Sequence, residues 1–288
     1  MVTPQQVIRA DSRHQRPLDP PVVNERWPAS AIWRSGEPQV RSIGFADLKD
    51  ALVKGIDDFN AAPTHALFLL LFYPVVGLML FRFYAGEHLL PLVYPLLAGL
   101  ALLGPVAAVG FYELSRRREQ GLDVSIWHVV QVYKSPRIGS IVTLGVVMLA
   151  IFVAWMLTAQ ALYTQTFRGA IPGSFAEFMA QLDTPAGSQL IFAGNAIGFV
   201  YAVVALMISV FSFPMLLDRD VGVATAVRTS VRAVLENPVT MALWGLLVVG
   251  LLIAGAIPFF FGLAIVFPVL GHATWHLYRK AISHDLVR

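Results

Sequence analysis

The chain of 288 residues contains no cysteine. Disulfides, iron–sulfur clusters, thiolate zinc sites and cysteine nucleophiles are therefore excluded. A Walker loop, a dinucleotide fingerprint, a serine-hydrolase elbow and an HExxH motif are also missing from the sequence. These absences favour a non-enzymatic protein but do not by themselves exclude catalysis.

Charge is scarce as well. Only 14% of the residues are charged, whereas soluble domains carry about 25%. Hydrophobic residues make up 57% of the chain, and the mean hydropathy of +0.66 indicates a polytopic membrane protein. The net charge is only +3, so bulk basicity gives no reason to expect a nucleic-acid partner.

Residues 1–41 lack the apolar core of a signal peptide and carry six prolines among scattered charges. We interpret them as a disordered cytosolic tail. Trp27 and Trp33 are unusual in such a tail; they could form a docking motif, but a place in the lipid interface or no role is favoured. We expect a transmembrane domain over 42–280 and a cytosolic C-terminal end over 281–288.

Long apolar runs dominate the rest of the chain. A span needs about 20 apolar residues, and six segments meet this need. No charged residue lies between Val239 and Gly271, and Gly255 before Pro258 is the predicted turn that divides this run into two spans. The predicted spans are 65–83, 89–112, 138–163, 190–216, 238–255 and 258–278.

The basic residues fix the predicted topology. Nineteen Lys and Arg residues fall before the first span, after the last, and in every second connection, whereas only Arg82 and Arg168 lie on the other side. Positive residues favour the cytoplasm. We therefore predict that both termini are cytoplasmic.

The sequence repeats one pattern three times: an amphipathic stretch, a proline, an apolar hairpin and a closing arginine. It predicts an all-α fold with six transmembrane helices as three pseudo-repeated hairpins, each preceded by an interfacial amphipathic helix. The amphipathic stretches could form a lipid-sensing or partner-binding collar, but structural elbows are favoured. These stretches are 45–59, 124–134 and 221–236, and the prolines are Pro63, Pro136 and Pro238.

Two smaller features concern the chain around these spans. Asp58 is assigned to the polar face of 45–59, and Ser135 and Asn237 are expected to cap the helices that begin at the next proline. In the outer connection 164–189, Ser174 and Glu177 have capping-box spacing, which predicts a short helix on the membrane surface.

A histidine pair is the most specific candidate for chemistry. His272 and His276 are four residues apart, so they share one face of a helix and could bind a divalent metal or haem iron. Glu113 and Asp218, followed by Arg219, lie at matching depth at the cytoplasmic membrane edge. Interfacial His, Trp and Tyr residues are, however, common where helices leave a membrane, and a purely structural role is favoured.

A second motif lies in the fourth predicted span. Gly194 and Gly198 have the spacing that allows close helix packing, and Asn195 between them could form a hydrogen bond to another helix. Packing within the chain and dimerisation both fit this motif, and packing within the chain is favoured.

Four segments of the chain carry a recognisable pattern, and they are 45–63, 104–116, 214–220 and 271–279. Together they resemble a bacterial family of integral membrane proteins of unknown function, from about residue 42 to 280. The resemblance implies a multi-pass protein of the inner membrane and assigns no catalytic residue. Some similar proteins are labelled cytochrome c oxidase subunit I, but that subunit has about twelve spans and six metal-binding histidines. This chain has seven histidines in all, of which only His272 and His276 fall within the cytoplasmic half of a predicted span.

Three functions are consistent with these features. The favoured one is a non-enzymatic inner-membrane scaffold, accessory subunit or lipid-interacting module, with membrane lipids and other membrane proteins as partners. The second is a transporter or channel for a small or amphipathic solute, because repeated hairpins can enclose a pathway. The third is a metal or haem site at His272 and His276; no cofactor is expected otherwise.

Overall fold

The computed structural model describes residues 38–62, 90–125, 132, 135–258 and 260–283. The described residues are mostly helical and form no strand, which confirms the all-α prediction. Eleven helices lie within these residues: α1 (Phe45–Ala61), α2 (Leu90–Leu102), α3 (Gly104–Ala107), α4 (Val109–Glu119), α5 (Ile138–Phe167), α6 (Phe175–Leu182), α7 (Pro185–Ser209), α8 (Ser212–Asp218), α9 (Val223–Glu236), α10 (Pro238–Ala256) and α11 (Leu263–Ala281).

Three stretches of the described chain are long and apolar enough to cross a membrane. They are α5, the continuous stretch α7–α8 from Pro185 to Asp218, and α10. They match the third, fourth and fifth predicted spans. The six-span arrangement as a whole is not confirmed, and the first predicted span, with Pro63, lies outside the described residues.

The second and sixth predicted spans differ from the expectation in instructive ways. The second is divided into α2, α3 and α4 by breaks at Leu103 and Ala108, next to Pro105. A proline inside a helix removes a backbone donor and crowds the preceding turn. The sixth corresponds to α11, which begins only at Leu263 and ends in polar residues. Most residues of α11 are buried in protein.

The turn between α10 and α11 lies where the sequence places it. α10 ends at Ala256 and α11 begins at Leu263, so the apolar run is not one long helix. The two arms approach so closely that a Cβ atom on Gly262 would lie 2.8 Å from the Cα atom of Gly255. The two arms therefore form a tight hairpin in which both glycines are required.

The buried core is concentrated at one end of the helices. Helix α8, the first eight residues of α4 and the second half of α11 are almost fully buried against one another. In contrast, only 17–33% of the residues in the most apolar windows of α5, α7–α8 and α10 are buried. We call the buried end, with α1 and α9 beside it, the head; the exposed apolar surfaces of the spans suit contact with lipid.

Two of the three predicted amphipathic helices are present as α1 and α9. Helix α1 packs on α11 through Leu48, Ala51 and Gly55, and a Cβ atom on Gly55 would lie 2.7 Å from the Cβ atom of Ala273. Asp58 belongs to this buried seam, so its assignment to the polar face was wrong. Helix α9 packs on α7 and α8. Most of the middle stretch, 124–134, lies outside the described residues.

The two ends of the described chain meet at the head. Val40 and Ile282 form an isolated antiparallel bridge, in which Arg41 N donates to Ala281 O over 2.8 Å and Ser283 N donates to Gln39 O over 2.9 Å. Asn237 strengthens this junction because its Oδ1 accepts a 2.8 Å bond from Ile43 N. Asn237 therefore joins the segment before α1 to α10. The sequence predicted that its side chain would cap α10, but no such cap is formed.

Of the other predicted caps, the one on α6 is observed and the one on α5 is not. The Ser135 hydroxyl accepts a 3.2 Å bond from Arg137 N, but α5 begins only at Ile138 and has no side-chain cap. At the start of α6, Ser174 Oγ accepts from Glu177 N over 3.2 Å, while Glu177 Oε2 accepts from Gly173 N over 2.6 Å. The short helix predicted between 164 and 189 is thus confirmed as α6.

Candidate functional site

The histidine pair and one carboxylate form the centre of the head. His272 and His276 lie on the same face of α11, one turn apart, and both point toward Asp58 of α1. His276 Nε2 lies 2.8 Å from Asp58 Oδ2, and His272 Nδ1 lies 4.0 Å from the same oxygen. Ser115 of α4 bridges the longer gap: its Oγ lies 2.5 Å from Asp58 Oδ2 and 2.8 Å from His272 Nδ1.

The hydrogen-bond directions in this cluster follow from the chemistry of its groups. A carboxylate only accepts, so the Ser115 hydroxyl donates to Asp58 and must accept from His272 Nδ1–H. His276 donates its Nε2–H to Asp58 for the same reason. The neutral His272 then holds a lone pair at Nε2, and this buried atom has no hydrogen-bond partner among the described residues.

Asp58 is also the charge centre of the cluster. Its second oxygen, Oδ1, lies 2.6 Å from Nη1 of Arg118 in α4, and the two side chains form an ion pair. Burial raises the pKa of the Asp58 carboxyl, but hydrogen bonds from His276 and Ser115 and the nearby histidines lower it, and the net pKa lies below the ordinary value. Asp58 therefore stays ionised and holds α1, α4 and α11 together; we call Asp58, Ser115, Arg118, His272 and His276 the hub.

An open pocket of about 460 Å³ lies beside the hub. Ionisable side chains from α1, α4 and the end of α11 line it, and His276 and Asp58 belong to its wall. Most of its charges are already paired: Arg279 Nη2 lies 2.8 Å from Glu119 Oε1, and Lys280 Nζ lies 3.0 Å from Asp50 Oδ2. The pocket is thus an open cleft lined by ion pairs.

The other predicted site residues are not part of the hub. Glu113 forms a buried pair with Arg116, with bonds of 2.7 and 2.9 Å. Asp218 Oδ2 accepts a 2.8 Å bond from the Tyr278 hydroxyl, which in turn accepts a 2.8 Å bond from Arg219 Nε. Sequence reasoning selected Glu113 and Asp218 by depth alone, whereas the carboxylate that reaches the histidines is Asp58.

Three hub residues escaped the sequence reasoning. Asp58, Ser115 and Arg118 come from helices far apart in the chain, and no local pattern joins them to the histidines. One signal was available for Asp58. It continues the helical spacing of the small residues Ala51 and Gly55, which would have placed it on the packed seam of α1.

The geometry bears on the metal hypothesis. Within the described part of the chain, no group of three or more His, Asp or Glu residues is arranged to hold a metal ion. His272 Nδ1 and His276 Nε2 are both engaged with Ser115 and Asp58. The chemistry that the arrangement supports is a chain of hydrogen bonds from His272 through Ser115 to Asp58 and His276.

The glycines and the asparagine of the α7 motif contact different neighbouring helices. A Cβ atom on Gly198 would lie 3.0 Å from the Trp155 ring of α5, and one on Gly194 would lie 3.8 Å from Leu162. Both glycines therefore face α5 within the chain. Asn195 turns elsewhere and accepts a 2.7 Å bond at Oδ1 from the Tyr94 hydroxyl of α2.

A model of a known protein family matches part of this chain. Residues 93–218 match the family described as "Predicted integral membrane protein (DUF2189)". The match confirms the resemblance to uncharacterised integral membrane proteins, over a shorter range than 42–280. No curated protein and no solved structure matches the chain.

The DUF2189 match runs from α2 to the end of α8. It contains Ser115 and Arg118 of the hub, and it also contains Glu113, Asp218 and the α7 motif. Asp58 and both histidines lie outside it. The family description carries no molecular function, so the role of the hub has to be argued from its geometry.

Proposed function

We propose that this protein is a non-enzymatic, multi-pass protein of the bacterial inner membrane that acts as a scaffold or accessory subunit and rests its head on the lipid surface. The observation that carries this proposal is the three-sided surface of α1. One side is packed on α11, one side is apolar and exposed, and one side is charged.

The three sides of α1 follow from the period of the helix. At about 100° per residue, the apolar stripe lies roughly opposite the charged stripe, and the packed seam lies between them. Phe45 and Ile56 of the apolar stripe are 72% and 43% exposed. A helix with such opposed faces lies in the plane of a membrane interface. The apolar stripe is Phe45, Leu52, Ile56 and Phe59, and the charged stripe is Asp47, Asp50, Lys54 and Asp57.

The proposal includes a topology. Six spans in three hairpins, with both termini and the head in the cytoplasm, follow the nineteen-to-two distribution of basic residues. The exposed apolar surfaces of α5, α7 and α10 support membrane lipids as the principal partners, with room for other membrane proteins. A reporter fused after Arg288 is expected to face the cytoplasm, and an outward-facing reporter would overturn this topology.

Lipid contact of α1 can be tested directly because the chain has no cysteine. Single variants Ile56→Cys and Asp57→Cys, labelled with an environment-sensitive fluorophore in liposomes, compare adjacent positions on opposed stripes. We expect blue-shifted emission and quenching by brominated lipids at position 56, and water-like emission without quenching at 57. Equal, water-like emission at both positions would refute the proposed contact.

The scaffold role has its own test. Native isolation in lipid nanodiscs, followed by mass spectrometry of proteins and lipids together, is expected to recover a reproducible protein companion. Recovery of this chain with lipids only, across several gentle extractions, would contradict an accessory role while leaving lipid contact intact.

A further inference from the structure

One polar side chain lies exposed within an apolar span. Asn195 is ten residues into α7, which begins at Pro185, and five residues into the predicted span 190–216, or about 8 Å along the helix axis from its start. The hydrocarbon core of a bilayer is about 30 Å thick. Asn195 therefore lies inside the hydrocarbon, where a polar group without partners is costly.

The contacts of Asn195 within the chain use half of its amide. Nδ2 donates to Ile191 O over 2.8 Å, and Oδ1 accepts from the Tyr94 hydroxyl over 2.7 Å. A primary amide has two N–H donors and two acceptor positions. Among the residues that the structure describes, one donor and one acceptor of this amide therefore remain without a partner, and the side chain is exposed.

The surface around this amide is suited to helix contact. Ile191, Phe192 and Phe199 lie one and two turns away and are 49%, 78% and 69% exposed. Gly194 and Gly198 are already used against α5, so this face is separate from the packing inside the chain. Tyr94, at 61% exposure, extends the surface onto α2.

We infer that this face of α2 and α7 binds a second copy of the same chain, with Asn195 paired to Asn195. An amide with one free donor and one free acceptor is complementary to itself. Around a two-fold axis, each Asn195 then donates its free N–H to the Oδ1 of its partner, and both amides are satisfied in the hydrocarbon. The inference depends on membrane insertion of α7 and is independent of the role proposed for α1.

Cysteine cross-linking tests this contact in the cysteine-free background. Phe199→Cys places a thiol on the proposed contact, and Leu246→Cys on α10, at 68% exposure, is the matched control on another apolar surface. We expect mild oxidation of native membranes to give a homodimer at position 199 and little at 246. Equal cross-linking at both positions, or a dimer that contains a different protein, would overturn the inference.

The role of the amide is tested separately. Asn195→Leu removes both free groups and keeps the surface apolar, but it also removes the acceptor of the Tyr94 hydroxyl bond. Tyr94→Phe, which removes that internal bond and leaves the amide in place, is therefore the matched control. Two interhelical hydrogen bonds are lost per dimer, and we expect self-association in liposomes, measured by energy transfer between labelled copies, to weaken about tenfold. Unchanged self-association would show that Asn195 does not mediate it, and self-association undetectable even with Asn195 present would refute the dimer.

Discussion

At the scale of single residues, Asp58 explains how the head is joined. Its two oxygens accept from Ser115 and Arg118 of α4 and from His276 of α11. Each of these groups would be left with an unmet donor if the carboxylate were lost. Arg118 is 42% exposed and can be solvated without its partner, so the cost of losing Asp58 comes from the hydrogen bonds of Ser115 and His276, whose donors are left unpaired.

We expect Asp58→Asn to lower the free energy of unfolding by about 1–3 kcal/mol at neutral pH, because the amide keeps only one acceptor oxygen. Because the folded-state pKa of Asp58 is lowered, its contribution is present above the unfolded pKa of about 3.9 and is lost as the pH falls through the folded pKa. Thermal unfolding in nanodiscs, followed between pH 7 and pH 3, should show a smaller loss on acidification in the variant than in the natural protein.

The exposed neighbour provides the control for this prediction. Asp57→Asn changes the same chemistry on the charged stripe of α1, one residue away, and should leave the unfolding free energy nearly unchanged. Equal destabilisation by the two variants would show that the hub contributes nothing specific.

The placement of the two histidines could be predicted from the sequence. The spacing of His272 and His276 correctly placed both on one face, and their depth indicated a need for a polar partner. The identity of that partner could not be read from the sequence. Asp58 is more than 200 positions away, and only the packing of α1 on α11 brings it to the histidines.

At the scale of elements, the attachment of α1 depends on close backbone approach. Gly55 meets Ala273 with no room for a side chain, and Lys280 at the end of α11 reaches Asp47 and Asp50 of α1 over 3.1 and 3.0 Å. The helix is thus held by one tight contact in its middle and by ion pairs along its charged side.

We expect Gly55→Ala to separate α1 from α11 partly and to cost about 1–3 kcal/mol through overpacking. The measurement is the unfolding free energy, together with the rate of proteolysis within α1. Gly250→Ala on α10 is the matched control, because a Cβ atom there meets nothing within 4 Å. Should both variants behave alike, the close contact at Gly55 is not what holds α1.

Periodicity predicted individual helices better than it predicted spans. Helices α1, α6 and α9 were visible in the sequence because their apolar residues recur at helical spacing. The division of α2–α4 was not, since hydropathy alone does not register that Pro105 and its neighbours interrupt the helix. The burial of the polar end of α11 inside the head was not visible either, since hydropathy does not show which helices will pack on it.

At the scale of the whole molecule, the head is closed by the two ends of the described chain. Helix α1 packs on α11, while α9 packs on α8. The contact between α1 and α11 joins segments more than 200 residues apart in the sequence. It could not be predicted from the sequence, because no local pattern encodes it.

The bridge between Val40 and Ile282 can be locked covalently. The flanking hydrogen bonds make this a non-hydrogen-bonded antiparallel pair, in which Cα atoms are about 4.5 Å apart and side chains are close. The double variant Val40→Cys with Ile282→Cys should form an intramolecular disulfide under mild oxidation, detected by faster gel mobility that reverses on reduction. The pair Val53→Cys with Ile282→Cys should not close, and its closure would contradict the paired ends.

The same bridge determines how the molecule would respond to mechanical force. Backbone bonds from Arg41 and Ser283, and the Asn237 amide on Ile43, hold the two chain ends side by side. Tension applied between residues 38 and 283 would therefore load these few bonds first, and α5, α7 and α10 would carry none of it until the bridge opened. A load on either end alone would pass through the head into the bilayer by way of α1 and α11.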